Sequence, residues 1–328
     1  MKNILPPWLS PHINKFDKQF FHHAYLISGR SGVGKNMLAS YLSRMILCNS
    51  EDNRLCGTCQ GCKLAENNNH PDFHRLTVLD DKKLIGIAQI QGLISKLYES
   101  PFLAQNKVVI IPNLEKLSID GLNAILKILE EPPKDTYFFL TSNFLNQVPL
   151  TIQSRCFDIK IGAPNKELAL EWLSDFSEEE GMLALNLTNN LPLLAKELLE
   201  KNILNEREQF IKEISSIIKE GKNLILTSEK WIEDKDFLNL KLEWMSKLLC
   251  DSIKFNANNH IDSLTIDTDN ISKYLANNTD VNNLHSLLSK TNRLWNLFSK
   301  DTNLRKDYQL NSLFVDWEIA LGISKKIQ

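Results

Sequence analysis

Two groups of residues have the types and spacing to do chemistry. The first is a run of thiols, Cys48, Cys56, Cys59 and Cys62, spaced C-x7-C-x2-C-x2-C. Four thiolates close a tetrahedral shell around zinc, and two-residue spacers let one turn present successive sulfurs to a single ion. Gly57 and Gly61 stand inside the run, where such turns need backbone freedom. Four cysteines leave no open position for a substrate water, so the expected role is structural: a zinc module at about 48–62, too small for a core of its own. Asp52, His70 and Asp72 lie nearby, but thiolates outcompete them for zinc, and His70 reads as a surface residue.

The second group is the stretch "LISGRSGVGKNML", in which Gly29, Gly34 and Lys35 fit the phosphate-binding pattern G-x-x-x-x-G-K-[ST]. Backbone N–H groups from Gly32 to Lys35, with the positive end of the following helix, would cradle phosphates, and Lys35 would reach the terminal ones. The pattern breaks at Asn36, where a hydroxyl normally meets magnesium. Hydrolysis also needs a second apolar strand ending in acids. The candidate, "KVVIIPNLEKL", ends in Pro112-Asn113, and Glu115 comes too late and reads as the start of the next helix. Two magnesium-related positions are degraded together, so turnover is not expected, and any ATP binding should be weak or absent.

Elements must position these groups. Strands are expected at Tyr25–Ser28, Phe73–Val78, Lys107–Ile111, Thr136–Thr141 and Cys156–Ile161. Helices fall between them at Lys35–Leu47, Ile87–Glu99, Ser118–Glu130 and, briefly, Val148–Gln153, with Pro132-Pro133 ending the third. Short apolar strands alternating with helices indicate an α/β core: a parallel five-stranded sheet with helices on both faces. Beyond Pro164 the strands stop. Lys166–Phe176 and Leu193–Leu199 read as small helices, and the acidic "SEEEG" between them as a solvated helix start. From about Asn205 the chain is helical, with stripes Phe210, Ile211, Ile214, Ile217, Ile218 and Leu284, Leu287, Leu288, Leu294, Trp295, Phe298; loops are expected within the asparagine-rich Asn256–Asn283.

Composition bounds the possibilities. The 328 residues suffice for two or three domains, and 43% hydrophobic with 24% charged residues is ordinary for a globular chain. A net charge of −2 exerts no general pull on nucleic acid. No apolar run is long enough to span a membrane, and Pro6 and Pro7 interrupt any secretory signal in "MKNILPPWLSPH". The thiol cluster fits a reducing compartment, so a cytoplasmic location is expected.

Several segments together, in order, resemble one family: "HAYLISGRSGVGK", the cysteine insertion, "GLNAILKILEEPP", "YFFLTSN" and "SRC". They look like the clamp-loader branch of the AAA+ proteins, closely over Trp8–Ile161 and by layout over the rest. The resemblance implies an AAA+ core at 1–163, a small helical lid at 164–205 and an all-α collar at 206–328 that assembles with other loader subunits. The implied partners are gamma/tau-like and delta-like subunits in a hetero-pentamer, with DNA and a sliding clamp reached through that complex. At "SRC", Ser154, Arg155 and Cys156, this family presents an arginine to a neighbouring subunit's ATP, so Arg155 is the expected trans finger and Cys156 a small buried residue. Active ATPases of this branch carry an acid pair where Pro112-Asn113 stands, a threonine or serine at Asn36, and a lid arginine where "NNLPLLA" has Leu193. The implied chain assists catalysis without performing it. Two other readings differ in class: an ATP-hydrolysing gamma/tau-like subunit resting on Gly29, Gly34 and Lys35, and a zinc-dependent nucleic-acid-binding module. Against the module, Arg54 and Lys63 are offset by Glu51, Asp52 and Glu66, leaving Lys82, Lys83 and Lys107 as candidate phosphate contacts.

Overall fold

The computed structural model describes residues 5–16, 21–50, 55–67, 69–79, 82–103, 105–201, 203–220, 224–234, 237–257, 266–299 and 305–322. They pack as two units, one of residues 1–175 with 190–194, the other of residues 176–189 with 195–328.

The first unit is built on five parallel strands: β1 (Ala24–Ser28), β2 (Phe73–Arg75), β3 (Lys107–Ile111), β4 (Thr136–Ser142) and β5 (Phe157–Lys160). Their order is β2-β3-β4-β1-β5, with Tyr25 opposite both Phe139 and Phe157. The helices are α1 (Ser10–Ile13), α2 (Lys35–Leu47), α3 (Gln60–Glu66), α4 (Ile87–Leu97), α5 (Ile119–Glu130), α6 (Leu150–Gln153) and α7 (Lys166–Trp172). Alternation along the strands divides the core by face. Tyr25, Ile27, Val108, Ile110 and Phe139 pack with Leu38, Ala39 and Leu42 of α2. Ala24, Leu26, Val109, Ile111, Phe138 and Leu140 pack with Ile90 and Leu93 of α4 and Ile125 and Leu129 of α5. Strands β1 and β3 are buried at every position, which is why they read as unbroken apolar runs.

Helix ends obey local chemistry. Ser118 caps α5 by accepting from Gly121 N, and Pro132-Pro133 follows its last turn. Helix α8 (Glu178–Leu187) opens with a capping box between Ser177 and Glu180, so the acidic run is a helix start. The α9 helix (Pro192–Glu200) follows it in the chain.

The second unit is helical in its described residues, with α8 joined by α10 (Ile203–Glu220), α11 (Leu224–Glu233), α12 (Leu238–Ala257), α13 (Asp269–Asn278), α14 (Val281–Ser299) and α15 (Lys306–Leu321). Both predicted stripes supply its core, through Phe210, Ile214, Ile217 and Ile218 and through Leu284, Leu287, Leu294 and Phe298, whereas Trp295 is exposed. Helix α13 occupies part of the stretch expected to hold loops; Leu275 is its fully buried anchor. Among the described residues, no helix is long and apolar enough to cross a membrane.

Candidate functional site

The turn between β1 and α2 has the shape its glycines predict. Gly32 and Gly34 take positive φ, 85° and 97°, which residues with a Cβ rarely adopt. The cradle, however, is filled by the chain itself. The Lys35 ammonium donates to Gly29 O at 2.7 Å, Arg30 O at 2.8 Å and Asn143 Oδ1 at 2.8 Å. All three acceptors are protein oxygens, and Lys35 is only 5% exposed. Burial pulls its pKa down to about 8, with the Glu115 carboxylate pulling the other way.

Apolar side chains cover the glycine face. A Cβ on Gly32 would lie 2.6 Å from Leu194 Cγ, and one on Gly34 would lie 3.0 Å from Leu9 Cδ1 and 3.7 Å from Leu193 Cδ1. Trp8 Nε1 donates to Val33 O at 2.9 Å. Leu193 therefore packs against the loop at the position where the family resemblance puts a lid arginine.

The magnesium positions are also committed. Asn36 Oδ1 accepts from Thr141 Oγ1 at 3.1 Å, and Thr141 Oγ1 accepts from Asn113 N at 3.0 Å. Asn113 sits at φ 56°, a left-handed conformation that asparagine tolerates. Glu115 does not start a helix of the α5 kind. It lies in the short 3-10 turn Leu114–Lys116, and its carboxylate accepts from Ser142 Oγ at 2.9 Å, Phe144 N at 3.1 Å and also Asn143 N. A carboxylate accepts several N–H groups at once, so it nests the 142–144 turn. The sequence presents Glu115 only as a misplaced magnesium ligand, and Asn143, the last residue of "YFFLTSN", does not stand out in it at all.

Arg155 lies between α6 and β5. Its Nη1 donates to Thr151 O at 2.8 Å and to Ser154 Oγ at 3.3 Å, while its Nη2 pairs with Glu130 Oε1 at 2.7 Å. The side chain is 35% exposed. Cys156 is half-buried, and burial pushes its thiol up to about 12, which favours the neutral thiol.

The four cysteines converge. Their sulfurs all lie within 4.8 Å of one another, with Cys48–Cys56 at 3.5 Å, Cys56–Cys62 at 3.8 Å and Cys48–Cys59 at 4.0 Å. A tetrahedral shell with metal–sulfur bonds of about 2.3 Å has sulfur–sulfur edges of about 3.8 Å, so the set fits a metal ion. Cys59 caps α3 by accepting from Cys62 N at 3.3 Å, and Cys56 Sγ accepts from Cys59 N at 3.4 Å. Backbone donors, Cys59 N first and Thr58 N next, bring the Cys56 thiol down to about 5, whereas burial raises that of Cys62. Gly57 supplies a positive φ of 68°, as expected. Gly61 serves differently: a Cβ there would meet Leu47 O at 2.4 Å, so its lack of a side chain allows α3 to approach the end of α2.

Two expectations are corrected here, for His70 and for Lys107. His70 is buried at 3% exposure, its Nδ1 accepting from Asp72 N at 3.1 Å. Asp72 is buried too and accepts from Phe102 N at 2.6 Å and Leu103 N at 2.8 Å. Lys107 is no surface cation: it is 4% exposed and donates to Leu97 O and Glu99 O, closing the end of α4. Lys63, Lys82 and Lys83 are exposed, while Glu51, Asp52 and Arg54 lie outside the described residues.

A phosphate-loop strand separated from β3 by β4, in a parallel five-stranded sheet with helices on both faces, makes the first unit a phosphate-loop α/β core of the kind the AAA+ resemblance implies, and an all-helical region follows in the chain. Family models described as DNA polymerase III, delta subunit, and DNA polymerase III, delta subunit, C terminal, match residues 8–165 and 201–318. The DNA polymerase III subunit delta' of Haemophilus influenzae is 32% identical, over 76% of this chain and 77% of its own. That of Buchnera aphidicola from Acyrthosiphon pisum is 30% identical over 98% and 99%, and that of Escherichia coli 27% over 94% of each. The chain belongs to the family of DNA polymerase III delta' subunits.

Proposed function

We propose that this chain is a non-hydrolysing subunit of the clamp loader of DNA polymerase III. In this reading it assembles with gamma/tau-like and delta-like subunits in a hetero-pentamer in the cytoplasm, and that complex places a sliding clamp on primed DNA. Its layout is a core at 1–163, a lid at 164–205 and a collar at 206–328. Its chemical contribution is made in trans: Arg155 faces the ATP of a neighbour. There, water attacks the γ-phosphorus, the β–γ bridging bond breaks, and the guanidinium stabilises the charge that develops on the phosphate oxygens.

The observation that carries the reading is the contrast between two cations. Lys35 spends its ammonium on three protein oxygens beneath a cover of leucines, whereas Arg155 sits partly exposed on the surface. A phosphate loop of this kind is retained architecture. Support for a structural zinc ion comes from the donor set: four sulfurs at tetrahedral spacing hold zinc through Cys48, Cys56, Cys59 and Cys62. The ion would tie α3 to the end of α2.

Arg155→Ala in the reconstituted complex is expected to lower DNA-stimulated ATP turnover about tenfold or more, with assembly unchanged by size exclusion. Turnover equal to wild type would overturn the finger role. Calorimetric titration of the isolated chain with ATP and magnesium should give no saturable heat. Sub-millimolar binding with turnover lost on Lys35→Ala would favour the hydrolase instead.

A further inference from the structure

Glu130 occupies a place that its own helix disfavours. It is the last residue of α5, where the carbonyl ends carry partial negative charge, and Glu131 follows it. An acid there is repelled by the helix dipole, so the helix itself does not account for it. What the carboxylate meets is the Arg155 guanidinium, at 2.7 Å.

Both partners stand on anchored backbone. Ile125, Ile128 and Leu129 bury α5 in the core, and Pro132-Pro133 forces the chain out of the helix directly after Glu131. On the other side, Ile152 is buried, and Gln153 Nε2 donates to Leu145 O at 3.1 Å and Val148 O at 2.8 Å, stapling α6 to the loop before it. Ser154 Oγ donates to Thr151 O at 3.1 Å and accepts from Arg155 Nη1 at 3.3 Å. The guanidinium is thus held from two sides, by Thr151 O and Ser154 Oγ through Nη1 and by Glu130 through Nη2. An arginine has many rotamers, and a finger that must first be ordered loses rate to that ordering. With both members 35% and 43% exposed, the pair contributes little to folding.

We propose that Glu130 is a positioning residue for Arg155, holding the guanidinium ordered before a neighbour's phosphate arrives. This inference rests on the reading of Arg155 as a trans finger. In the reconstituted complex, Glu130→Ala is expected to lower the kcat of DNA-stimulated ATP hydrolysis roughly three- to thirtyfold, with KM for ATP unchanged. Glu130→Gln, which keeps an oxygen acceptor without the charge, should fall between, and Glu130→Asp should restore part of the loss. In an Arg155→Ala background, Glu130→Ala should cost nothing further, because the two act as one unit. A purely structural role would lower activity in both backgrounds and would shift the melting temperature, so that result overturns the proposal. A Glu130→Ala complex as fast as wild type overturns it too, leaving the finger intact if Arg155→Ala is slow. A faster Glu130→Ala complex would make the pair a restraint and equally overturn it. Full activity of Arg155→Ala would instead bring down the finger reading itself.

Discussion

At the scale of single residues, Lys35 is held by the chain's own oxygens. Three acceptors converge on its ammonium, and Asn143, one of the three, also donates to Asn113 Oδ1 at 3.3 Å. Lys35→Met keeps the volume but removes the donor to three part-buried oxygens, and it should cost about 1–2 kcal/mol in denaturant unfolding. A substitution made to abolish ATP binding should therefore act on folding. The pH dependence has a definite sign. Burial lowers the folded pKa to about 8 from 10.5, so between those values the unfolded chain holds the proton that the folded chain has lost. Stability gains from this group as pH rises from about 8 to about 10.5, and the penalty is fully present below 8. Subtracting the pH–stability curve of Lys35→Met should isolate that rise. The sequence could place Lys35 on a phosphate loop because the pattern is local. It could not show Asn143 or Leu194 closing over the loop, since those contacts join positions far apart in the chain.

Among the elements, the cysteine module and α3 depend on one close approach. Gly61 places its Cα where any Cβ would strike Leu47 O. Gly61→Ala should push α3 away from α2, spoil the convergence of Cys59 and Cys62 with Cys48, and lower bound zinc below one per chain by atomic absorption. Cys62→Ser removes a ligand directly and should do the same, with loss of helical circular dichroism. Acid should release the metal as thiolates protonate. Spacing alone picked out the four cysteines that converge. It suggested backbone freedom as the reason for both glycines, and only the packing of α3 on α2 separated the positive φ of Gly57 from the steric requirement at Gly61. His70 and Lys107 were misplaced for a related reason. Both are polar types that usually lie outside, but here each has backbone partners: His70 accepts from Asp72 N, and Lys107 donates to two carbonyls at the end of α4.

Over the whole molecule, two cores are built by different rules. The sheet unit divides its apolar residues between two faces; the helical unit gathers Trp231, Trp244, Trp317, Phe210 and Phe314 into one cluster. Arg207 is embedded in that second cluster at 1% exposure, bidentate to Asp267 at 2.8 and 3.0 Å and lying over the rings of Phe210 and Trp244. Removing it leaves the Asp267 carboxylate unpaired, so Arg207→Met should destabilise the helical unit by about 3 kcal/mol. Tryptophan fluorescence of Trp231 and Trp244 would follow that unfolding.

The amino-acid sequence by itself determined the strands, the major helices, the grouping of four cysteines and the order of motifs that marks the family. These depend on periodicity and spacing over a few neighbouring residues, which the backbone enforces locally. Tertiary structure alone decided that Lys35 faces protein oxygens, that leucines cover the loop and that Glu130 meets Arg155. Those outcomes depend on which distant segments share a boundary, and each buried charge was settled by the acceptors that folding happened to bring within reach.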